Sequence, residues 1–248
     1  MSEATTEDES MSFWSHLDEL RRRLIFSVVS TIVLSIPCGI YWEKIFDLIM
    51  VWPLRFTDPR PRLIFTAPAE AILLSIKIAI ASGVVAASPV IFFQLWKFVA
   101  PGLFPNEKKI ILPAAIFSTI AFASGISFCY TLLPYILKVL TAIGTGRLEA
   151  MFTSANYLGF FLKLMLAFGI IFELPVVSFV LSKLGLITPS FLISKTKYAL
   201  VVSFILGALL TPPDIISQIV LALPLMLLYG ISILVSFIAQ PKKKTTDD

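Results

Sequence analysis

Charge is scarce in this chain. Only 15% of its 248 residues are Asp, Glu, Lys or Arg, while 57% are hydrophobic and the mean hydropathy is +0.90. A soluble domain carries about 25% charged residues, so an ordinary water-exposed globule is excluded. His16 is the only histidine, which removes a histidine-based metal site. Cys38 and Cys129 both fall in apolar runs and read as small buried hydrophobes rather than as a disulfide or metal pair. No G-x-x-x-x-G-K loop occurs, so the chain carries no Walker-type ATPase. The acidic, Ser/Thr-bearing first twelve residues lack a basic n-region and a cleavage site, and no signal or transit peptide is read there.

What is present is a series of long apolar runs. About 20 apolar residues cross a hydrocarbon core of roughly 30 Å. Leu24–Trp42, Ile78–Trp96, Ile110–Leu137 and Ile215–Gln240 meet that length, and Leu164–Ser182 does so with one interruption, Glu173. Tyr198–Pro213 is a shorter run, divided from the last by Thr211-Pro212-Pro213-Asp214, since a proline pair followed by Asp favours a turn. The expectation is an all-α integral membrane protein with six transmembrane helices. Residues 1–248 read as one polytopic domain, with 1–12 a flexible acidic N-terminal tail and 241–248 a cytoplasmic C-terminal tail. The apolar part of the fifth span, Tyr198 to Thr211, would reach only about 21 Å, which suggests local bilayer thinning.

Basic residues orient the spans. Arg21, Arg22, Arg23, Lys97, Lys108, Lys109, Lys183, Lys195, Lys197 and Lys242 to Lys244 fall on one side. Half as many fall on the other: Lys44, Arg55, Arg60, Arg62, Lys138 and Arg147. That bias predicts both termini in the cytoplasm. Pro89, Pro175 and Pro224 lie inside the second, fourth and sixth spans. Such prolines kink helices, and the bends would turn six rods into a curved wall with a concave side.

Two acids stand within the basic side. Glu19 precedes Arg21-Arg22-Arg23, and Glu107 precedes Lys108-Lys109. Ser15 is a candidate N-cap of an interfacial helix, with Phe13, Leu17, Leu20 and Leu24 as its apolar stripe. Glu19 and Arg23 form an i,i+4 pair that could simply support that helix. Glu107 could be a first-turn acid after Pro105-Asn106. The second reading of both is reception of a cation from outside, with Phe98, Leu103 and Phe104 supplying apolar surface beside Glu107. Glu173 sits at the middle of its run, where a charge costs roughly 2.5–3.5 kcal/mol on insertion scales. Gln94 or Gln218 could face it. A packing residue, a contact for a partner helix and a proton relay are the readings open there.

Taken together these segments resemble the TatC family of the twin-arginine protein translocase over nearly the whole chain. The matching stretches are His16–Leu24, Thr66–Glu70, Ser88-Pro89-Val90, Gln94–Leu103 with Glu107, Phe168–Pro175 and Leu210–Asp214. The resemblance implies a receptor, and not an enzyme, that binds twin-arginine signal peptides of folded cargo at its cytoplasmic face and exports them on the proton-motive force. It implies signal-peptide binding at Glu19 and Glu107, with Arg21, Phe98 and Leu103 nearby. It implies partner contact at an intramembrane polar set, here Gln94, Glu173, Thr211, Asp214 and Gln218. The implied partners are the single-span TatA and TatB proteins, other copies of the chain and the lipid bilayer, with no nucleic acid and no cofactor. The implied location is the bacterial plasma (inner) membrane. Many members of that family have a second basic residue or an arginine pair after the position of Glu107, where this chain has Lys108-Lys109, which keeps the charge but weakens a bidentate role.

Two other classes compete. A solute transporter would use Glu173 as a coupling-ion site and should show broken helices and further midplane charges. An intramembrane enzyme lacks paired acids or a second histidine for acid–base work.

Overall fold

The computed structural model describes residues 3–57, 61–99, 108–142, 151–211 and 215–240, with the side chains of 3–13, 108 and 142 left aside. Six helices are long and apolar enough to cross a membrane. They are α1 (Glu3–Ile40), α4 (Glu70–Val99), α5 (Ile111–Ala142), α6 with α7 (Ser154–Ile171 and Leu174–Lys183), α8 (Pro189–Leu210) and α9 (Ile215–Ala239). Two short helices, α2 (Trp42–Phe46) and α3 (Trp52–Leu54), lie between α1 and α4.

The helices pack as a series of neighbours: α1 on α4, α4 on α5, α5 on α6, α7 on α9 and α9 on α8. An open wall results, with α1 at one end and α8 at the other. Close approach at two contacts depends on glycine. A Cβ on Gly83 of α4 would fall 2.9 Å from the Cα of Ser35 in α1, and one on Gly125 of α5 would fall 2.6 Å from the carbonyl oxygen of Phe168 in α6. Small residues serve this purpose between helices in lipid, where no hydrophobic effect draws helices together. The main buried cluster, including Leu74, Ile78, Leu133, Phe161, Phe168 and Leu221, joins α4, α5, α6 and α9. A smaller one joins Trp96, Ala114, Ala115 and Val180. Many large apolar side chains face outward, as on Ile32, Ile80, Phe117, Leu209 and Ile238, the arrangement expected of surfaces solvated by acyl chains.

Several expectations change. Ser15 does not stand at a helix start: α1 runs unbroken from Glu3 to Ile40, so an interfacial helix and the first span are one element, and 3–12 belong to its first turns. The fifth helix is not short. Thr188 Oγ1 accepts from Phe191 N at 3.2 Å and Pro189 opens the first turn, so α8 has 22 residues and reaches about 33 Å. Lys195 and Lys197 lie inside it, each with Nζ over the Tyr198 ring at 5.3 and 5.2 Å. Their stems extend the apolar surface while the ammonium groups reach outward, so the argument for thinning lapses. Pro37 and Pro134 lie inside α1 and α5 in addition to the prolines of the even spans. Finally, the chain is not purely helical. β1 (Arg62–Ile64) pairs in parallel with β2 (Met151–Thr153), Leu63 opposite Phe152, across the loops at one end of the wall.

Candidate functional site

The first turns of α1 beyond Trp14 run beside the last turns of α4 in the opposite direction, and side chains cross-link them. A spacing of four puts Glu19 and Arg23 on one face of α1. Arg23 Nε donates to Glu19 Oε1 at 3.0 Å, and its terminal Nη2 donates to the same oxygen. Glu19 Oε2 takes no bond from Arg23. The other arm, Nη1, donates to Gln94 Oε1 on α4 at 3.2 Å. One turn outward, the His16 ring stacks on Phe98 at 4.4 Å between centroids, 18° from parallel. A cavity of about 550 Å³ opens over this junction, lined by Asp18, Glu19, Arg22, Arg23, Phe26, Gln94 and Lys97. Its two carboxylates lie among three cations, above the apolar Phe26.

The sequence-based site thus comes together in part. Glu19, Gln94 and Phe98 meet at the α1–α4 junction. Phe98 is half-buried against His16. Arg21 is exposed and absent from the cavity lining, because two residues turn it about 200° from Glu19. Leu103, Glu107 and Asp214 lie outside the described residues.

The intramembrane polar set does not form one constellation. Gln94 belongs to Arg23, and Gln218 Nε2 donates to the Phe204 carbonyl at 2.8 Å, tying α9 to α8. Thr211 is buried, with Oγ1 donating to Gly207 O at 2.9 Å at the end of α8. Glu173 meets neither glutamine. Its carboxyl lies at Ser118 of α5, whose Oγ accepts from Trp96 Nε1 at 2.9 Å. One oxygen, Oε1, is buried without a hydrogen-bond partner, an arrangement that costs free energy unless something else supplies a donor. Nor is Glu173 central. It follows Ser154 by 19 residues and precedes Lys183 by 10, because the span extends back past Lys163 to the N-terminus of α6. It also occupies a break. The chain turns at Phe172–Glu173 between α6 and α7, with Pro175 opening the new helix. A broken helix, one mark of the transporter reading, is therefore present, and Lys195 of α8 lines a cavity with Ile171 and Leu174 on either side of it.

The search for functional acids by sequence missed Glu70. Its Oε2 accepts from Thr66 N at 2.6 Å, Thr66 Oγ1 at 3.1 Å and Ala67 N at 3.3 Å, while Oε1 accepts from Ala155 N at 2.9 Å. One buried carboxylate thereby holds the loop before α4 to the start of α6. The signal was visible as Thr66 four residues before Glu70 at a helix start; the partner on α6 was not.

Six apolar helices, a polar cavity at one end and a buried polar break in the wall define a polytopic membrane protein whose reactive surface is built for binding and not for bond-making. Comparison with known proteins makes that class specific. The model of the family described as Sec-independent protein translocase protein (TatC) matches residues 15–224. The chain is 41% identical over 234 residues to the Sec-independent protein translocase protein TatC of Helicobacter pylori strain J99, covering 94% of this chain and 92% of that protein. It is 40% identical over 237 residues to the protein of the same name from Aquifex aeolicus, covering 94% and 98%. A crystal structure of the twin arginine translocase receptor TatC superposes with a TM-score of 0.77 at 37% identity, over 90% of this chain and 99% of that one. A second, in DDM, gives 0.80 at 38% identity, over 89% and 99%. The chain belongs to the TatC family. It is a component of a protein translocase, not an enzyme, and works with other components of that system.

Proposed function

We propose that this chain is the signal-peptide receptor of its translocase and that the α1–α4 cavity is the arginine-reading half of the site. The observation that carries this is Glu19 Oε2, a carboxylate oxygen that takes nothing from Arg23 at the rim of a cavity holding Phe26 beneath it. A guanidinium matches a carboxylate in plane and can bond it with two parallel N–H groups, which an ammonium cannot. Glu107 is assigned the second arginine, with Leu103 and Phe98 supporting the apolar part of the peptide. The positive-inside bias supports a cytoplasmic position for this end and for both termini, in the bacterial plasma membrane. Glu173 and the α8–α9 turn are assigned to single-span partners of the TatA and TatB kind. The buried Oε1 of Glu173 favours that over a transporter's ion site, since one carboxylate lacks the coordinating set an ion needs.

Site-specific crosslinking from positions 19, 98, 107 and 173 tests the assignment. Crosslinks from 19, 98 and 107 to a twin-arginine precursor, and from 173 to single-span partners, are expected. A precursor that crosslinked equally well when its arginine pair was replaced by alanine would refute the receptor reading.

A further inference from the structure

A second cavity, of about 730 Å³, lies where α5 begins and α7 and α9 end. Its volume falls within the ~300–1,000 Å³ of small-molecule sites. The wall is apolar, and its buried floor residues are small: Ala114 and Ala239 leave room that Phe117 and Phe179 flank. The floor is fixed from behind. Ser182 and Ser236 share a 2.6 Å hydrogen bond between α7 and α9, and Ala114 packs with Trp96 and Val180. That packing puts the groove at the same end of the wall as Lys97 and the Glu19 cavity.

Two cations stand over this apolar slot from different elements, Lys109 before α5 and Lys183 on the last turn of α7. Lys183 Nζ lies 5.6 Å from the centroid of the Phe179 ring, so the exposed ammonium stands over an aromatic side chain of the lining. No carboxylate lines the groove among the described residues. An apolar slot with two lysines at one end is complementary to a molecule with an anionic head and a hydrocarbon tail. We propose that the groove binds an anionic phospholipid of the surrounding bilayer, its phosphate bridging Lys109 and Lys183 and an acyl chain lying along Phe117, Val176 and Val235. Basic pockets between transmembrane helices bind acidic headgroups for the same reason.

The test counts lipid on the full chain in detergent by native mass spectrometry, with phosphatidylglycerol and phosphatidylcholine of identical chains titrated separately. Each lysine near an anionic headgroup is worth about fivefold. Phosphatidylglycerol should therefore be held about 25-fold more tightly than phosphatidylcholine. The Lys109→Gln/Lys183→Gln double variant should abolish that preference, and each single variant should reduce it about fivefold. Ala239→Phe keeps both lysines but fills the groove, and should lower retention of both lipids. Glycerol phosphate without acyl chains should not displace the bound lipid. Equal retention of the two lipids by the unaltered protein would overturn the proposal, as would a preference surviving in the double variant. Displacement by glycerol phosphate would reduce the site to one for a free anion and overturn it as well.

Discussion

Glu19 has two physical roles open to it, and a pair of substitutions separates them by sign. If Glu19 only steadies α1, its worth is the bond to Arg23, and Glu19→Gln and Arg23→Gln remove the same interaction. Both would then weaken peptide binding alike, through a loosened helix. If Glu19 receives the peptide's guanidinium, the two substitutions act in opposite directions. Glu19→Gln deletes the receptor, while Arg23→Gln deletes its internal competitor. The Arg23–Glu19 pair is part-exposed, with the two side chains 16% and 31% accessible, so solvent screens it and its loss is a small effect in either direction. Peptide and Glu19 together form a less solvated contact, in which charge-assisted hydrogen bonds are stronger. On that basis Glu19→Gln should lower affinity for a twin-arginine peptide about ten- to thirtyfold, and for a twin-lysine peptide only about two- to threefold. Arg23→Gln should raise twin-arginine affinity about two- to fivefold, more at low salt than at high. Fluorescence anisotropy of labelled peptides on the protein in nanodiscs measures these three values. Equal losses for both variants, or a loss that ignores arginine against lysine, would refute the receptor role.

Other expectations follow from the same contacts. Gly125→Val forces a side chain against the Phe168 carbonyl at 2.6 Å, where backbone cannot give way; a cost of about 1–3 kcal/mol should appear as a lower thermal transition. Glu70→Gln turns an acceptor of four hydrogen bonds into a group that must present an N–H to backbone donors. Faster protease cleavage of the β1–α4 loop, with a transition several degrees lower, is expected, and unchanged cleavage would show the latch to be dispensable. Glu173→Leu should leave signal-peptide crosslinks at position 19 intact while altering crosslinks to single-span partners; unaltered partner crosslinks would count against the contact role. Trp96→Phe removes the donor to Ser118 and should cost about 0.5–1.5 kcal/mol, read as a shift in the unfolding midpoint.

Local chemistry made much of this legible. Apolar run length marked all six spans, because the need to satisfy backbone groups in lipid leaves few alternatives to a long helix. The i,i+4 spacing put Glu19 beside Arg23, which is a property of helix geometry alone. Boundaries failed where charge interrupts a helix without ending it. Lys195 and Lys197 truncated the fifth span on paper, and Lys163 made Glu173 look central, because an apolar-run criterion treats a snorkelling lysine as a terminus. The notional cap at Ser15 failed for a related reason: an N-cap is defined by the preceding backbone, which here is already helical from Glu3.

The sequence alone determined that the protein lives in a membrane, how many times it crosses, and several of the acids and glutamines that could do work there, though not Glu70. Those follow from transfer free energies and helical periodicity, both of which act over a few residues. Only the tertiary structure decided the partners. It gave Gln94 to Arg23, Ser118 to Glu173, Trp96 to Ser118, and Ala155 to Glu70. It also left two lysines over one apolar groove. Residues that far apart in the chain are matched by how helices pack, and packing is set by the summed shapes of whole faces, including the glycines at positions 83 and 125 that let those faces meet.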